Sequence, residues 1–488
     1  MAQQSSVLTY AVRGRVVLKY SGQLAFMLAL ITTVPLAVAV MDASWPAAQR
    51  YAVLCAALLV GGRILAGLRV PPSIQTNEAL TVTAIAFLIA PLLMSWPMTA
   101  AGIPFLDAWF EAVSGATTTG LSTLASIENR SVTFLFSRAW MQWYGGLGIV
   151  ILSVALLMGH HAAARRLADP VESGDTLVAT ARTHARRSLI IYLVLTALGL
   201  LVVWPLAGDG FHALVHVLAA VSTGGFSSFD DGLSELGSSA AIAVTAISFL
   251  SAVSLPLYWG VTHAGRGKAV STFFGDVEFR ALVLSCFAVA GCLTLLAWRH
   301  DIALPWYHGF MMGVSAQTTT GFATLPVADL DATSKVVMIV SMLVGGSVGS
   351  SAGGFKLLRL LIFLRMLQLT MRRLAMPPHA VAEPHLSGQK LDTDDLLRAL
   401  QLIVLYVGVV VFSWAVFVAF GYDPLDALFE VASACGTVGL STGITRPELE
   451  APLKAVLCFD MLAGRLEIIA LLLVLYPRNW FGRRGELS

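Results

Sequence analysis

The chain has 488 residues, of which 57% are hydrophobic and only 12% are charged, and its formal net charge is +2. Soluble domains carry about 25% charged residues, so this composition excludes a soluble globular protein and indicates a polytopic membrane protein. The small net charge argues against a nucleic-acid-binding protein, and the five cysteines form no CxxC pair that would indicate a metal or redox site.

Apolar segments long enough to cross a membrane follow one another along the chain. About 20 residues of helix cross a hydrocarbon layer of ~30 Å. The first such segment is too long for a cleavable signal peptide. The 333–367 segment is too long and too glycine-rich at its centre to be one plain helix. The ten predicted spans are 24–41, 48–68, 79–98, 133–159, 187–206, 238–260, 279–298, 333–367, 399–420 and 450–476.

Lysine and arginine are distributed asymmetrically between the two sides of these spans. With the N-terminus inside, the inner side collects most of the 31 Lys and Arg residues, among them Arg165, Arg166, Arg266 and Lys268. Cytoplasmic loops carry such an excess, so we expect both termini in the cytoplasm. The exceptions are Arg50, Arg130, Arg138, Arg299, Lys335, Arg446 and Lys454 on the outer side, and Arg465 within the last span.

Four hydroxyl-rich segments with a glycine at the same place recur in the outer connections. A short apolar stretch precedes each, and Pro104, Asp209, Pro305 and Pro424 lie near the expected helix starts. A helix of about 12 residues is roughly 18 Å long, so it must enter the membrane partway and return. The segments read DAWFEAVSGATTTG (107–120), HALVHVLAAVSTGG (212–225), HGFMMGVSAQTTTG (308–321) and DALFEVASACGTVG (426–439).

Such re-entrant segments are typical of a pore. Irregular backbone at membrane depth is tolerated only when it is buried in protein or lines a watery cavity. Four copies around one axis would point backbone carbonyls inward to replace the hydration shell of a cation, with glycine permitting the required backbone angles. Each half-helix would direct its negative C-terminal end toward the centre. The alternative is four ordinary Gly/Thr turns outside the membrane.

These units resemble the Trk/Ktr/HKT superfamily of potassium transporters. The two extra N-terminal spans resemble its TrkH branch. MQWYGGLGIVIL (141–152) is similar to the family's first inner helix, and GGSVGSSAGGFKLLR (345–359) to the glycine-rich break in its third inner helix. MLAGRLEI (461–468) is similar to its fourth inner helix with a buried arginine. The second and fourth filters lack the TTTG of the other two, but all four glycines are present, which favours potassium over sodium.

The resemblance implies a K+ filter and an intramembrane gate, and no catalytic or cofactor-binding residues. The filter would comprise Thr118, Thr119, Gly120, Leu121, Thr223, Gly224, Gly225, Phe226, Thr319, Thr320, Gly321, Phe322, Thr437, Val438, Gly439 and Leu440. The gate would comprise Gly345, Gly346, Gly349, Gly353, Gly354 and Arg465. From the residues alone, the glycine-rich segment fits either a flexible gate or close packing of small residues.

Charged residues in or near the membrane have two interpretations each. Arg465 would either tune cation flux or form a structural pair, with Asp460 or a backbone carbonyl as its partner rather than Glu467. Glu111 and Glu430 would attract cations or hydrogen-bond the filter backbone from behind. Asp230 and Asp231 would enrich cations at the mouth or serve as ordinary loop acids.

The expected fold is an all-α polytopic membrane protein with four outer helix–pore helix–filter–inner helix units around one pore. The expected division is an N-terminal part with two extra helices (1–77), pore repeats at 78–160, 161–262 and 263–367, a cytoplasmic loop at 368–397, and a fourth repeat at 398–488. That loop would contact a partner or act as a tether. The resemblance implies a homodimer with a TrkA-like, nucleotide-binding cytosolic subunit.

The predicted function is potassium uptake across the bacterial inner membrane, with K+ as the transported ion and no organic cofactor. The alternatives are an H+- or Na+-coupled symporter and a relative that translocates Na+ and K+ with weak selectivity. Alternating access would call for inverted repeats, whereas these four repeats share one orientation. An enzyme would need a converging nucleophile and base or metal ligands, and the spans carry no such motif.

Overall fold

The computed structural model describes residues 11–71, 74–160, 177–263, 269–377, 385–386, 389–391 and 393–481. Within these ranges the chain is almost entirely α-helical, as predicted, and a two-stranded antiparallel ribbon joins β1 (His385–Leu386) to β2 (Gln389–Lys390). Arg165, Arg166, Arg266 and Lys268, which supported the predicted orientation, lie outside the described residues.

Two long helices precede four units of similar organisation. The first two are α1 (Gly14–Met41) and α2 (Trp45–Ala66). The first unit contains α3 (Thr76–Met98), α4 (Phe105–Ala116) and α5 (Val132–His160), and the second contains α6 (Leu177–Ala207), α7 (Gly210–Val221), α8 (Ser238–Ser251) and α9 (Leu255–His263). The third contains α10 (Ala269–Gly275), α11 (Val277–Arg299), α12 (Pro305–Gln317), α13 (Ala332–Val344) and α14 (Leu357–Leu374). The fourth contains α15 (Thr393–Ala419), α16 (Pro424–Cys435), α17 (Ala451–Arg465), α18 (Ile469–Leu475) and α19 (Arg478–Phe481).

Six described helices are long and apolar enough to cross a membrane. Between 22% and 44% of the residues in their most apolar windows are buried within the protein. Most of their apolar side chains therefore face outward, which is favourable only in lipid. These helices are Gly14–Met41, Trp45–Ala66, Asn77–Ala101, Thr183–Ala207, Val277–Arg299 and Asp395–Ala419.

The second and fourth inner helices are bent where the sequence predicted single spans. The predicted span 238–260 is not one straight helix, because α8 and α9 meet at 82°. The backbone at this bend bonds the glycine-rich segment instead of continuing the helix, with Leu255 N donating to Gly349 O at 3.1 Å. The predicted span 450–476 is likewise interrupted, since α17 ends at Arg465 and α18 begins at Ile469.

The third inner helix is broken, as predicted for 333–367. The helix stops at Val344 and resumes at Leu357. It then continues to Leu374, so the predicted cytoplasmic loop at 368–397 begins inside α14. Residues 378–384, 387–388 and 392 of that loop lie outside the described residues.

The four short helices lie at the centre of the protein. They contain 12 or 13 residues, as predicted, and their C-terminal halves are buried. Pro305 and Pro424 occupy the first helical position, and the Asp209 side chain accepts a hydrogen bond from His212 N at 2.8 Å. Because their ends are deeply buried, the segments that follow them are brought together inside the protein.

Candidate functional site

The four glycine segments have the same backbone conformation. In each, the glycine and the residue two positions before it adopt the left-handed region, which threonine rarely enters. The φ angles are 52°, 51°, 54° and 49° at Thr118, Thr223, Thr319 and Thr437, and 97°, 74°, 81° and 98° at Gly120, Gly225, Gly321 and Gly439. Strain of this kind, repeated at four equivalent positions, marks a functional region.

The four segments also contact one another in a closed ring. Each glycine packs so tightly against a carbonyl oxygen of the next segment that a methyl group there would overlap it. The pairs are Gly120 with Gly224 O, Gly225 with Thr320 O, Gly321 with Val438 O, and Gly439 with Thr119 O. The fourth segment thus returns to the first, and the ring leaves no space for a side chain at any of the four glycines.

The short helices hold the amide groups of these segments from behind. The residue before each glycine donates its N–H to the carbonyl five positions earlier: Thr119 to Ser114 at 2.9 Å, Gly224 to Ala219 at 2.8 Å, Thr320 to Ser315 at 3.0 Å and Val438 to Ser433 at 2.8 Å. The carbonyl oxygens of Thr119, Thr320 and Val438 accept no hydrogen bond among the described residues. Backbone carbonyl oxygens without a hydrogen-bond donor are the oxygen type that can replace the hydration shell of a cation.

A second set of contacts supports the chain just after each glycine. Glu111 and Glu430 are fully buried and accept hydrogen bonds from Thr123 N and Thr442 N at 3.1 and 2.8 Å. Of the two predicted roles these contacts favour hydrogen bonding from behind, although the bonded amides lie three residues after the glycines and outside the predicted filter residues. At the equivalent positions Met312 Sδ accepts from Thr324 N at 3.3 Å, and His216 Nε2 bonds Ser227 Oγ at 3.0 Å.

Two polar side chains on α5 hold the second segment, and neither contact was predicted from the sequence. Gln142 is buried; its amide N–H donates to Gly224 O, and its oxygen accepts from Phe226 N at 3.1 Å. Arg138 pairs with Glu111 at 2.8 Å and lies 3.8 Å from the centre of the Phe226 ring. The available signal was a glutamine and an arginine in an otherwise apolar span.

The glycine-rich break lies directly against the ends of the short helices and the filter segments. Gly353 N donates to Thr319 Oγ1 at 2.6 Å, and Gly354 N donates to Gly436 O at 3.2 Å. Ser351 Oγ donates to Val221 O at 3.1 Å, so the break spans the second, third and fourth units.

Close backbone packing explains the glycines of this break. A methyl group on Gly353 would overlap Gly436 O, and one on Gly345 would overlap Gly353 O. Gly349 and Gly354 have φ angles of 74° and 73°, and a methyl group on Gly346 would press on Ala352. The absence of a side chain at each of these glycines therefore allows the segment to pack closely in its place next to the ring.

Arg465 reaches this break from the fourth unit. It lies at the end of α17 and not in mid-helix as predicted, and it is 2% exposed. Its guanidinium donates to Ser351 O at 2.8 Å, whereas Nε and the other terminal nitrogen have no partner among the described residues. This bond makes a backbone carbonyl the partner, which was one of the two predicted possibilities. The other, Asp460, bonds Ser413 instead, and Glu467 pairs with Arg359.

The acids after the second glycine segment are exposed loop residues. Asp230 accepts hydrogen bonds from Ile127 N and Ser126 Oγ at 2.6 and 2.7 Å, which joins the first two units. Asp231 is exposed. Within the described ranges no group of three or more His, Cys, Asp and Glu residues could hold a metal ion.

Comparison with known proteins identifies chains of similar sequence and structure. The TrkH family model, described as a cation transport protein, matches residues 73–480. The Trk system potassium uptake protein TrkH of Vibrio parahaemolyticus is 30% identical over 418 residues, covering 81% of this chain and 85% of the relative. The Trk system potassium uptake protein TrkI of Halomonas elongata is 28% identical over 492 residues, covering 95% and 96% of the two chains.

A solved structure has a similar architecture. The crystal structure of the potassium transporter TrkH from Vibrio parahaemolyticus superimposes with a TM-score of 0.85 at 26% sequence identity. The match covers 96% of this chain and all of the other. The two proteins therefore share nearly their whole fold.

Proposed function

Because the chain belongs to the TrkH family of cation transport proteins, we propose that it carries potassium into the cell through one pore formed by one chain. Relatives with similar sequences are named potassium uptake proteins. The observation that carries the proposal is the closed ring of Gly120, Gly225, Gly321 and Gly439, each packed against a carbonyl of the next segment. A transporter family gives no reason to expect an enzyme.

In this proposal a hydrated K+ ion enters from the outer side and exchanges its water for the carbonyl oxygens of the ring. The C-terminal ends of α4, α7, α12 and α16 carry partial negative charge, which favours a cation where they converge. Thr118 and Thr437 add hydroxyl oxygens that have no partner among the described residues. The filter is composed of the residues that the sequence predicted around the four glycines.

The glycine-rich segment 345–354 is the proposed gate. Its contacts with Thr319, Gly436 and Val221 support a closed state directly below the ring. Arg465 holds Ser351 and adds a fixed positive charge on the same path. Opening therefore requires these hydrogen bonds to break, and shortening 345–354 should raise basal potassium flux in liposomes. A shortened chain with unchanged flux would contradict this assignment.

The filter is tested by glycine substitutions in purified protein reconstituted into liposomes, with K+ and Na+ flux measured separately. Gly120→Ser should lower the K+/Na+ flux ratio, because a side chain there would displace Gly224 O from the ring. Gly421→Ser is the matched control, since Gly421 has a similar φ of 92° but a methyl group on it would meet no other atom within 4 Å. An equal K+/Na+ ratio in both variants would overturn the filter assignment.

The arrangement of the protein in the cell is also a proposal. The chain is a multi-pass membrane protein, and we place it in the bacterial inner membrane with both termini in the cytoplasm. The excess of Lys and Arg on the predicted inner side supports this orientation. A homodimer regulated by a cytosolic nucleotide-binding subunit is the assembly that the family resemblance favours.

A further inference from the structure

An apolar cavity lies between the N-terminal helices and the first unit. Its volume is about 250 Å³, and apolar side chains from α1, α2, α3 and α5 form almost all of its wall. It extends inward to Ala116, the last residue of α4, and to Gly145 of α5. The cavity therefore connects the outer helices with the base of the first filter segment.

The outer edge of the cavity belongs to the lipid-facing surface. Met27 and Ile89 line it and are 58% and 46% exposed, and both lie on helices long enough to span the membrane. Water is a poor occupant because a buried water needs two to four polar partners. Among the described residues, only two side chains of the wall are polar, Ser21 on α1 and Tyr144 on α5. The other lining side chains are apolar, so water could fill no more than the part of the cavity next to these two groups.

The size of the cavity restricts what can fill it. Protein interiors contain few voids larger than a water molecule, because an empty cavity loses dispersion contacts along its whole wall. A helix from another protein is about 10–12 Å wide, too wide for this space. A single flexible hydrocarbon chain fits the volume, the apolar wall and the adjoining medium.

We propose that this cavity is a binding site for one acyl chain of a membrane phospholipid. The chain enters between α1 and α3 and packs against Phe87, Tyr144 and Gly148. By filling the space beside Ala116 it supports the end of α4, from which the first filter segment begins. Binding of an acyl chain at this site depends only on the protein spanning a membrane. The proposal can therefore be tested without measuring ion flux.

The test uses the full chain in liposomes that contain a phosphatidylcholine with a photoreactive diazirine on its acyl chain. Irradiation and peptide mapping should place labels on residues 144–148 as well as on exposed lipid-facing positions. Ala90→Phe puts a ring into the cavity, whereas Leu92→Phe puts the same ring at a position of the same helix that is 48% exposed and does not line the cavity. We expect a severalfold loss of label at 144–148 in the first variant and none in the second.

Labelling of α6 at Leu201, which is 72% exposed, is the control for folding and insertion in both variants. Equal labelling of 144–148 in the two variants, with Leu201 unchanged, would overturn the proposal. So would the absence of label at 144–148 in the unsubstituted chain.

Discussion

Gln142 explains why the second filter differs in sequence from the first and third. Its side chain occupies the space that a side chain at Gly224 would need, since a methyl group there would overlap the Gln142 amide. The same amide donates to Gly224 O and accepts from Phe226 N. In the second segment a side chain of the neighbouring helix α5 therefore fills the space that a threonine fills in the first and third segments. The sequence STGG at 222–225 therefore differs from TTTG because it is fitted to the side chain of Gln142.

This pairing predicts that substitutions at the two positions compensate for each other. Gly224→Thr should lower the melting temperature because the new side chain collides with Gln142. Gln142→Ala should lower it because two buried backbone groups lose partners, at about 1–3 kcal/mol each. In the double variant the threonine occupies the space that Gln142 leaves. The melting temperature of the double variant should therefore fall by less than the sum of the two single losses. Thermal unfolding in detergent measures this, and strictly additive losses would contradict the pairing.

The bend between α17 and α18 is tied to the glycine-rich break, which is the proposed gate. Glu467 and Ile468 have φ angles of 55° and 60°, which a β-branched residue adopts only when its surroundings enforce it. Glu467 pairs with Arg359 at the start of α14, and Arg465 bonds Ser351. The middle of the glycine-rich break and the start of α14 are thus both attached to one strained turn in the fourth unit, and relaxation of that turn would release both.

Breaking the Arg359–Glu467 pair should therefore favour the open state. We expect Glu467→Gln to raise basal K+ flux in liposomes, because the start of α14 loses its charged partner. The reversed pair, Arg359→Glu with Glu467→Arg, should return flux toward the original value. Glu448→Gln is a control, since Glu448 forms only an exposed, 3.8 Å contact with Arg446. A flux that stays at the original value in Glu467→Gln would refute the coupling.

The sequence predicted the elements that depend on local signals and missed those that depend on distant contacts. The short helices were found because their starts and glycines are adjacent in sequence. The bends at 251–255 and 466–468 were missed because neither contains a glycine, and contacts with the glycine-rich break stabilise the first. The equivalence of Glu111, His216, Met312 and Glu430 was hidden because the four residue types differ. Three of them accept a backbone N–H, whereas His216 bonds the Ser227 hydroxyl.

For the whole molecule, ion pairs join one unit to the next around the ring. Lys335 on α13 of the third unit pairs with Asp426 on α16 of the fourth at 2.9 Å. Lys454 on α17 of the fourth unit pairs with Asp107 on α4 of the first at 2.6 Å. The second pair joins residues that are 347 positions apart in sequence, so it closes the ring between its last and first members. No local pattern could have revealed it, although each lysine appeared in sequence as an exception to the inner-side bias.

The two pairs differ in burial, and their energies should differ accordingly. The side chains of Lys454 and Asp107 are 5% and 12% exposed, against 10% and 32% for Lys335 and Asp426. Removing one partner of a buried pair costs about 3–5 kcal/mol because the other charge is left without compensation. A pair that remains in contact with solvent contributes about 0–1 kcal/mol. Lys454→Met should therefore lower the melting temperature in detergent much more than Lys335→Met.

The double variant Lys454→Met with Asp107→Leu separates the cost of an uncompensated charge from the value of the pair itself. If burial determines the loss, removing both charges should restore much of the stability that Lys454→Met removes, because hydrophobic residues of similar size replace buried ion pairs at little cost. The Thr123 hydroxyl would still lose its bond to Asp107, so recovery should be incomplete. Equal melting temperatures for Lys454→Met and Lys335→Met would show that the closure between the fourth and first units does not depend on this pair.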